Sequence, residues 1–501
     1  MKKIVSFLSL AFLLSQCNSS EKEVLSVQIF QSDASGNKLK EITEYAGETA
    51  SSITLDTSES FQTISGFGGS FTESTAYLLN QLSDDKRSEI LDAYFSNEGA
   101  QYSLTRTHMN SSDFSLDHYS YTPIAGDTNL INFSIEEDRD DIIPMILDAQ
   151  KISEEGFKIV ASPWTAPPWM KDNNDWYGGK LLKEYYPAWA RFFSKYANAY
   201  AAEGINIWAF TFVNEPLGNG SHWESMHFSP EECADFVKNH LGPQLKKDSL
   251  DIHILVYDQN RGVDLEKWSS VLLNDKELLP YIYGTAVHWY SSTFRYFPES
   301  LQYTHNLAPD KHIINTEACI DNDIPRWRDD AWYWKKEATD WGWQWALEEN
   351  KPNHPQYVPV YRYARDIIGC LNNWVEGWID WNMVLDIHGG PNLAQNWCIA
   401  PVIVDVDKNE VYYTPLYYTL SHFSKFIRPG AKRIAFENSD DSLMTTALIN
   451  PDGSVVLIVL NMTEEEKSFE VKLGAQSAKI KIDKQALQTI VFNKNTIERK
   501  N

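Results

Sequence analysis

Apolar runs in the middle of the chain alternate with stretches whose apolar residues recur at helical spacing. The runs lie near 63–70, 103–109, 157–162, 207–213, 252–258, 284–290, 312–317 and 377–382. The helical patterns cover 73–95, 135–155, 183–203, 230–246, 265–273 and 358–375. Strands that alternate with helices indicate a parallel sheet, and eight repeats predict an α/β fold built as a closed (β/α)8 TIM barrel.

The two ends of the chain are rich in strand patterns. Short apolar runs lie at 25–30 and 52–55, and a hairpin pattern joins 445–449 to 455–460. Two β ends around a barrel predict one β-sandwich side domain built from both termini. We therefore divide the chain into a leader and tether over 1–23, a first part of the sandwich over 24–60, a barrel over 61–427, and the rest of the sandwich over 428–501.

The first residues resemble a bacterial lipoprotein signal peptide. Lys2 and Lys3 precede an apolar stretch, 4–14, that is too short to cross a bilayer. This stretch ends at Cys17, in a sequence similar to a lipobox, although Gln16 stands where a smaller residue is usual. We expect Cys17 to carry a lipid anchor. The protein would then be exported to the outer-membrane surface of a Gram-negative bacterium, or face its periplasm.

The net charge argues against some binding partners, and the cysteine spacing argues against a metal site or a disulfide framework. The chain of 501 residues carries 44 Lys and Arg against 69 Asp and Glu, a formal net charge of −25. This balance argues against nucleic acid and against an anionic membrane face, because both attract basic surfaces. Only the N-terminal lipid would then bring the chain to a membrane. Four cysteines without paired spacing are predicted to be small buried residues rather than a metal site or a disulfide framework: Cys233, Cys319, Cys370 and Cys398.

No sequence motif favours a cofactor or a metal. The glycine-rich segment Gly66–Phe71 lacks the third glycine of a dinucleotide fingerprint. The chain is instead rich in aromatic residues, with 18 Trp, 25 Tyr and 23 Phe. Aromatic rings stack on the apolar faces of sugars as well as on one another. Carbohydrate binding and a large aromatic core are therefore both open on composition alone.

Carboxylic acids follow two of the predicted strands. The chemistry of such barrels lies at the carboxyl ends of the strands. Glu215 follows the fourth run, and Glu317 ends the seventh. Glycosidic bond cleavage needs two facing carboxyl groups, one protonated to donate to the leaving oxygen and one ionised to attack the anomeric carbon. A single strand-end Glu would be more typical of a salt bridge, whereas the pair favours catalysis.

Polar and aromatic residues also follow the other runs, as a carbohydrate pocket requires. They are Arg106, Asp113, Trp164, Asn214, His288, Tyr290 and Trp381. Core packing is the alternative for each Trp, and we predict it for Trp208 and Trp378.

Several motifs in this order resemble glycoside hydrolase family 30. They are Gly66-Phe-Gly-Gly69, Ser162-Pro-Trp-Thr165, Asn214-Glu-Pro216, His288-Trp-Tyr290, Thr316-Glu-Ala-Cys319, and Asp380-Trp-Asn382 with Gly389-Gly-Pro-Asn392. The family includes the lysosomal glucosylceramidase, β-1,6-glucanases and xylan-acting enzymes. The resemblance implies a barrel with a β-sandwich and a retaining mechanism. Glu215 would be the acid/base, and Glu317 the nucleophile.

The resemblance also implies substrate-binding roles. Asn214 would bind the sugar 2-hydroxyl, and Arg106 and Tyr290 would lie beside the nucleophile. His288 would belong to the same pocket. Four positions would hydrogen-bond the glucose unit: Asp113, Trp164, Trp381 and Asn396.

The connection after the seventh run, 321–356, is longer than in glucosylceramidase and carries six Trp. Loops on this face set substrate choice. The alternative is a helix with Trp334, Trp341 and Trp345 on one buried stripe.

We expect hydrolysis of β-glucosidic bonds by an endo-β-1,6-glucanase acting on β-1,6-glucan. An exo-acting β-glucosidase or glucosylceramidase, and a non-catalytic glycan-binding surface lipoprotein, are the alternatives. Linkage, chain length and oligomeric state stay open.

Overall fold

Eight parallel strands close into a barrel in chain order. The computed structural model describes residues 27–43, 45–218, 222–292, 294–321, 330–335, 358–395 and 398–493. The barrel strands are Gly66–Phe71, Leu104–Met109, Lys158–Pro163, Ala209–Thr211, His253–Asn260, Gly284–His288, His312–Glu317 and Val375–Asn382. The eighth strand pairs with the first. The predicted (β/α)8 barrel is confirmed, although the fourth strand is shorter than its apolar run.

Aliphatic side chains from seven of the strands fill the barrel. They are Leu104, Val160, Ala209, Leu255, Ala286, Ile314 and Ile379, with Trp208 packed against them. The first strand supplies glycine instead. A Cβ on Gly68 would lie 2.1 Å from the carbonyl oxygen of Leu104. Only glycine therefore allows the first and second strands to pack this closely. The predictions of core packing for Trp208 and Trp378 are confirmed.

Helices surround the barrel. The α-helices are Glu73–Gln81, Asp84–Phe95, Ile142–Ile152, Tyr186–Ala202, Pro230–Phe236, Gly242–Lys247, Val263–Leu272, Pro298–Leu307, Pro359–Asn372 and Pro415–Ser424. Short 3₁₀ turns lie at Glu136–Asp140, Pro168–Met170, Lys183–Tyr185, Leu279–Tyr281 and Asp330–Trp334. Among the described residues, no helix has the length and apolar character needed to cross a membrane.

Some helix predictions need correction. The pattern over 73–95 is two helices, because the chain leaves helical geometry at Leu82 and Ser83. The pattern over 230–246 begins at a capping box between Ser229 and Glu232 and contains a π-helical turn, Val237–Leu241. The helices Pro298–Leu307 and Pro415–Ser424 were not predicted. The first buries mainly Ser and Thr, and the second is buried on nearly every side, so neither shows an apolar stripe.

Strands from both ends of the chain form one nine-stranded sheet. The strands are Val27–Asp33, Lys40–Ile42, Ser51–Thr63, Lys432–Asn438, Leu443–Ile449, Val455–Asn461, Lys467–Leu473, Gln476–Ile482 and Ala486–Phe492. Val27–Asp33 pairs with Ala486–Phe492, and Ser51–Thr63 lies between Lys432–Asn438 and Lys467–Leu473. Side chains such as Ile53, Leu457 and Phe469 share one buried cluster. The predicted side domain built from both termini is confirmed.

Two small sheets lie in the loops that follow the seventh and eighth barrel strands. Ile320–Asp321 pairs with Cys398–Ile399, and Val384–Asp386, Val402–Asp405 and Glu410–Tyr413 form a three-stranded sheet. The first of these joins the end of the seventh strand to the loop that follows the eighth. It therefore fixes part of the barrel mouth.

Candidate active site

The carboxyl ends of the barrel strands bring most of the predicted site residues together. Arg106 lies in the second strand, His288 and Glu317 end the sixth and seventh, and Asn214 and Glu215 lie in the loop after the fourth. Trp164 follows the third strand, Tyr290 the sixth, and Trp381 lies in the eighth. Except for partly buried Tyr290, these side chains are buried or nearly so.

Glu317 is held by two donors, one in the second strand and one just after the sixth. The Tyr290 hydroxyl donates to Glu317 Oε1 at 2.9 Å, and Arg106 Nη1 donates to Glu317 Oε2. Arg106 Nη2 also donates to Asn214 Oδ1 and to Asp258 Oδ2, both at 2.8 Å. The fully buried guanidinium is thus tied to three elements of the barrel. Its fork-shaped donor set fixes the carboxylate in position.

Glu215 faces His288 rather than an arginine. Glu215 Oε1 lies 3.2 Å from His288 Nδ1, and His288 Nε2 lies 3.0 Å from Asp258 Oδ1. Burial raises the pKa of the Glu215 carboxyl, and the neighbouring His288 opposes this rise. Burial alone would lower the pKa of His288, but the negative charges of Glu317 and Asp258 raise it to about 9. His288 is therefore an imidazolium at neutral pH, with both ring nitrogens donating.

Asp258 is a functional residue that the sequence analysis missed. It is fully buried and accepts hydrogen bonds from Arg106, His288 and, at 2.6 Å, Thr316. Burial works against its charge, but Arg106 and His288 hold the pKa of Asp258 well below its ordinary value. Its position at the end of the fifth apolar run, 252–258, is the signal that could have identified it.

Two register irregularities aim these side chains at one another. Tyr257 and Gln259 pair with consecutive residues of the sixth strand, so Asp258 is an extra residue in the ladder. Thr316 is the corresponding extra residue between the sixth and seventh strands. Bulges of this kind redirect side chains and are common beside active sites. Here they bring the Thr316 hydroxyl to Asp258.

The main chain is also in an unusual conformation at Glu215 and Asp258. Glu215 has φ of +48° and Asp258 has φ of +53°, values that non-glycine residues rarely adopt. The Glu215 N–H donates to the Asp258 carbonyl oxygen at 3.0 Å, and Asn214 N–H donates to the Pro163 oxygen at 2.7 Å. Contacts to neighbouring strands therefore hold the Asn214–Glu215 segment in place.

Aromatic rings form the floor of the site. Trp164 and Trp381 stack with centroids 5.0 Å apart, and the Arg106 guanidinium lies 4.9 Å from the centroid of the Trp164 ring. The Trp381 Nε1–H is buried and has no hydrogen-bond partner among the described residues. Buried indole N–H groups usually find a partner, so this donor is available to a bound ligand.

The remaining predicted residues have different outcomes. Asp113 is buried in the loop after the second strand, and its neighbour Phe114 packs edge-on against Trp381. Asn396 and Cys17 lie outside the described residues, as do four of the six Trp between 321 and 356. Trp334 is buried and packs against Tyr361, which is the core role of the alternative interpretation.

The site brings two carboxyl groups close together, and it is a poor metal site. Ligand-type atoms of Glu215, His288 and Glu317 all lie within 4.8 Å of one another. Both nitrogens of His288 already face carboxylates, so the ring offers no lone pair to a cation. One carboxyl group is buried and has a raised pKa, and the other is bound by an arginine. Such a pair suits a reaction in which one group donates a proton and the other attacks.

Domain comparisons agree with this chemistry. Residues 64–341 and 344–427 match the glycosyl hydrolase family 30 TIM-barrel domain, and residues 430–490 match the beta sandwich domain of the same family. The chain belongs to glycoside hydrolase family 30. The resemblance carried by the sequence motifs is therefore confirmed, and the protein is a glycoside hydrolase.

The relatives of this chain within family 30 include glucosylceramidases and endo-1,6-beta-glucanases. The chain is 36% identical to the lysosomal acid glucosylceramidase of Mus musculus, over 83% of this chain and 78% of that protein. It is 29% identical to the endo-1,6-beta-D-glucanase of Neurospora crassa, over 82% of this chain and 83% of that protein. A solved endo-beta1,6-glucanase is 28% identical with a TM-score of 0.80, covering 93% of this chain and 99% of that chain.

Proposed function

We propose that this family 30 enzyme hydrolyses β-glucosidic bonds with retention of configuration, with Glu317 as nucleophile and Glu215 as acid/base. The spacing of the two carboxyl groups carries the proposal, because oxygen atoms of Glu215 and Glu317 lie within 4.8 Å of each other. Retaining enzymes place these groups about 5–5.5 Å apart, whereas inverting enzymes need roughly 6.5–9.5 Å to admit a water. The short spacing supports direct attack by Glu317.

In the first step, Glu317 attacks the anomeric carbon while Glu215 donates a proton to the leaving oxygen. Glu215 Oε1 accepts from His288, so the transferable proton resides on Oε2. The donors Arg106 and Tyr290 orient the Glu317 carboxylate. In the second step, Glu215 takes a proton from water, which attacks the glycosyl-enzyme on the side that the leaving group vacated. Both steps together retain the configuration.

The proposed substrate is β-1,6-glucan cut within the chain. The similarity to endo-1,6-beta-glucanases supports this assignment, because it extends over nearly the whole of a solved member. The sequence-based expectation that Trp residues of the 321–356 connection stack on further sugar units, each contributing about 1 kcal/mol, belongs to this proposal, except for Trp334, which packs in the core.

An exo-acting β-glucosidase or glucosylceramidase is the second candidate. It is favoured by the higher identity, 36%, to the mouse glucosylceramidase. The non-catalytic glycan-binding alternative is weaker, because a binding protein has no need of a carboxyl with a raised pKa beside a second, arginine-held carboxyl.

Product analysis tests the reaction and the substrate together. The wild-type chain is incubated with β-1,6-, β-1,3- and β-1,4-glucans, an aryl β-glucoside and glucosylceramide in detergent, with Glu317→Gln as the matched inactive control. Mixed short oligosaccharides from β-1,6-glucan, with the β-anomer appearing first in proton NMR, are expected. Glucose as the sole product, at a rate independent of chain length, would replace the endo assignment by the exo one. An α-anomer as first product would refute retention.

For the N-terminal segment the proposal is a lipid anchor on Cys17 and export to the cell surface. The support is the lipobox-like sequence that ends at this cysteine. Incorporation of a labelled fatty acid should occur in the wild type and disappear in Cys17→Ala. Surface exposure is measured by protease treatment of whole cells. Equal labelling of both chains would contradict the proposal.

A further inference from the structure

Two cysteines far apart in sequence meet behind the candidate active site. Cys319 Sγ lies 3.0 Å from Cys398 Sγ, and the two residues are separated by 79 positions. This distance is shorter than the roughly 3.5–4.0 Å at which carbon atoms pack. All four cysteines predicted to be small buried residues are buried and free in the structure, but the sulfur atoms of this pair lie unusually close together.

The local backbone presents the two side chains on the same side. Ile320–Asp321 pairs antiparallel with Cys398–Ile399, with Asp321 opposite Cys398. Cys319 lies two residues before Asp321 and therefore shares its face of the ladder, diagonal to Cys398. We propose that Cys319 and Cys398 form a disulfide that covalently joins the end of the seventh barrel strand to the loop after the eighth.

The position gives the bond a clear mechanical role. Cys319 is two residues after Glu317, and its Sγ lies 3.6 Å from the hydroxyl of Tyr290, which donates to Glu317. Both cysteines belong to the apolar cluster that contains Trp164 and Trp381. The bond therefore ties the apolar cluster under the site to the end of the seventh strand, which carries Glu317.

Formation of the bond is a thiol–disulfide exchange. A thiolate of one cysteine attacks a small-molecule disulfide such as oxidised glutathione and releases one glutathione thiolate. The second cysteine then attacks the resulting mixed disulfide and displaces the second glutathione thiolate. Two S–H bonds and the reagent's S–S bond break, one protein S–S bond forms, and two thiols of the reagent are released with both electrons and both protons. Cys319 and Cys398 are 3% and 1% exposed, so the exchange takes place while the chain folds.

Peptide mapping tests the bond directly. The full chain is folded in a buffer of oxidised and reduced glutathione or in dithiothreitol, unfolded in N-ethylmaleimide, digested and examined by mass spectrometry. In the glutathione sample, the Cys319 and Cys398 peptides are expected to be linked, while Cys233 and Cys370 are alkylated. Full alkylation of Cys319 and Cys398 in that sample, or a link to another cysteine, would overturn the proposal.

Thermal unfolding gives a second readout. The midpoint of the wild type should fall by several degrees in dithiothreitol, because a disulfide closing a long loop restricts the unfolded chain. Cys398→Ala should lose this dependence on reductant, whereas the matched control Cys233→Ala should keep it. Equal wild-type midpoints in both buffers would count against the bond. Should Cys398→Ala fail to fold, the wild-type peptide map decides the question alone.

Discussion

Replacing Asp258 by Asn removes one negative charge from the centre of the buried network while keeping the shape of the side chain. Asp258 accepts from Arg106 on one oxygen, and from His288 and Thr316 on the other. An amide can accept on one side only, so its NH₂ group would face a donor on the other. We expect His288 to lose its proton more easily and Arg106 to shift from its position.

The size of the effect follows from the proton affinity of His288. Burial works against its charge, yet Glu317 and Asp258 raise its pKa from 6.5 to about 9. One pKa unit corresponds to about 1.4 kcal/mol, so these anions favour the imidazolium by roughly 3 kcal/mol beyond the cost of burial. A single opposite charge at this range shifts a pKa by about 1–3 units. Asp258→Asn should therefore lower the pKa of His288 by at least about one unit.

The consequence is a shift of the alkaline limb of the pH profile. His288 and Glu215 share a hydrogen bond, so they lose protons as a pair, and removing a nearby anion makes that loss easier. The alkaline limb of kcat/KM should move to lower pH in Asp258→Asn. The stability that the raised pKa of His288 provides is fully present below pH 6.5 and is lost as the pH rises through about 9. In the variant, the unfolding midpoint should decline earlier on this alkaline side.

The assay is kcat/KM on an aryl β-glucoside across pH, together with thermal midpoints at each pH. Asp380→Asn is the matched control, because it makes the same change at another buried carboxyl of the barrel, one whose pKa burial raises well above its ordinary value. Tyr363 donates to its Oδ1 at 2.7 Å, which an amide oxygen can replace. An unmoved alkaline limb in Asp258→Asn, or an equal shift in Asp380→Asn, would refute the reasoning.

Four further substitutions separate the roles of the site residues. Glu317→Gln removes the attacking charge, so turnover should fall by several orders of magnitude with binding retained; near wild-type turnover would contradict its role. Glu215→Ala should slow poor leaving groups far more than aryl glucosides, and azide should restore turnover through a β-glycosyl azide; an α-azide would exclude the acid/base assignment. Tyr290→Phe removes the 2.9 Å bond to Glu317, so kcat should fall about 10–100-fold at similar KM, and a pure KM change would point to substrate contact instead. Trp381→Phe removes a buried N–H donor, so KM should rise about tenfold, whereas lost thermal stability with unchanged KM would indicate packing alone.

The barrel and the two carboxyl groups were predictable because they depend on local pattern. Apolar runs mark the strands, and the residue after each run lies at the mouth of the barrel. The helix Pro415–Ser424 was not predictable in this way, because burial on nearly all sides removes the polar face that defines an amphipathic pattern.

Contacts between distant residues account for the rest. The role of Asp258 depends on Arg106 and His288, and on bulges that no periodicity reveals. The meeting of Cys319 and Cys398 similarly depends on pairing between two short loop strands separated by much of the eighth β/α unit. These residues are far apart in the sequence, so their spacing gives no sign of the contact that the fold creates.

The strained main chain links the position of Glu215 to that of Asp258. Positive φ at Glu215 and Asp258 costs on the order of 1–3 kcal/mol per residue, so the surrounding contacts must hold both conformations. One of those contacts is the hydrogen bond from the Glu215 N–H to the Asp258 carbonyl oxygen. Since His288 also lies between the two side chains, the same few atoms influence the position of the Glu215 carboxyl and its proton affinity. We expect a relaxed backbone to gain stability and to lose the alignment of Glu215, so that stability and the proposed activity oppose each other here.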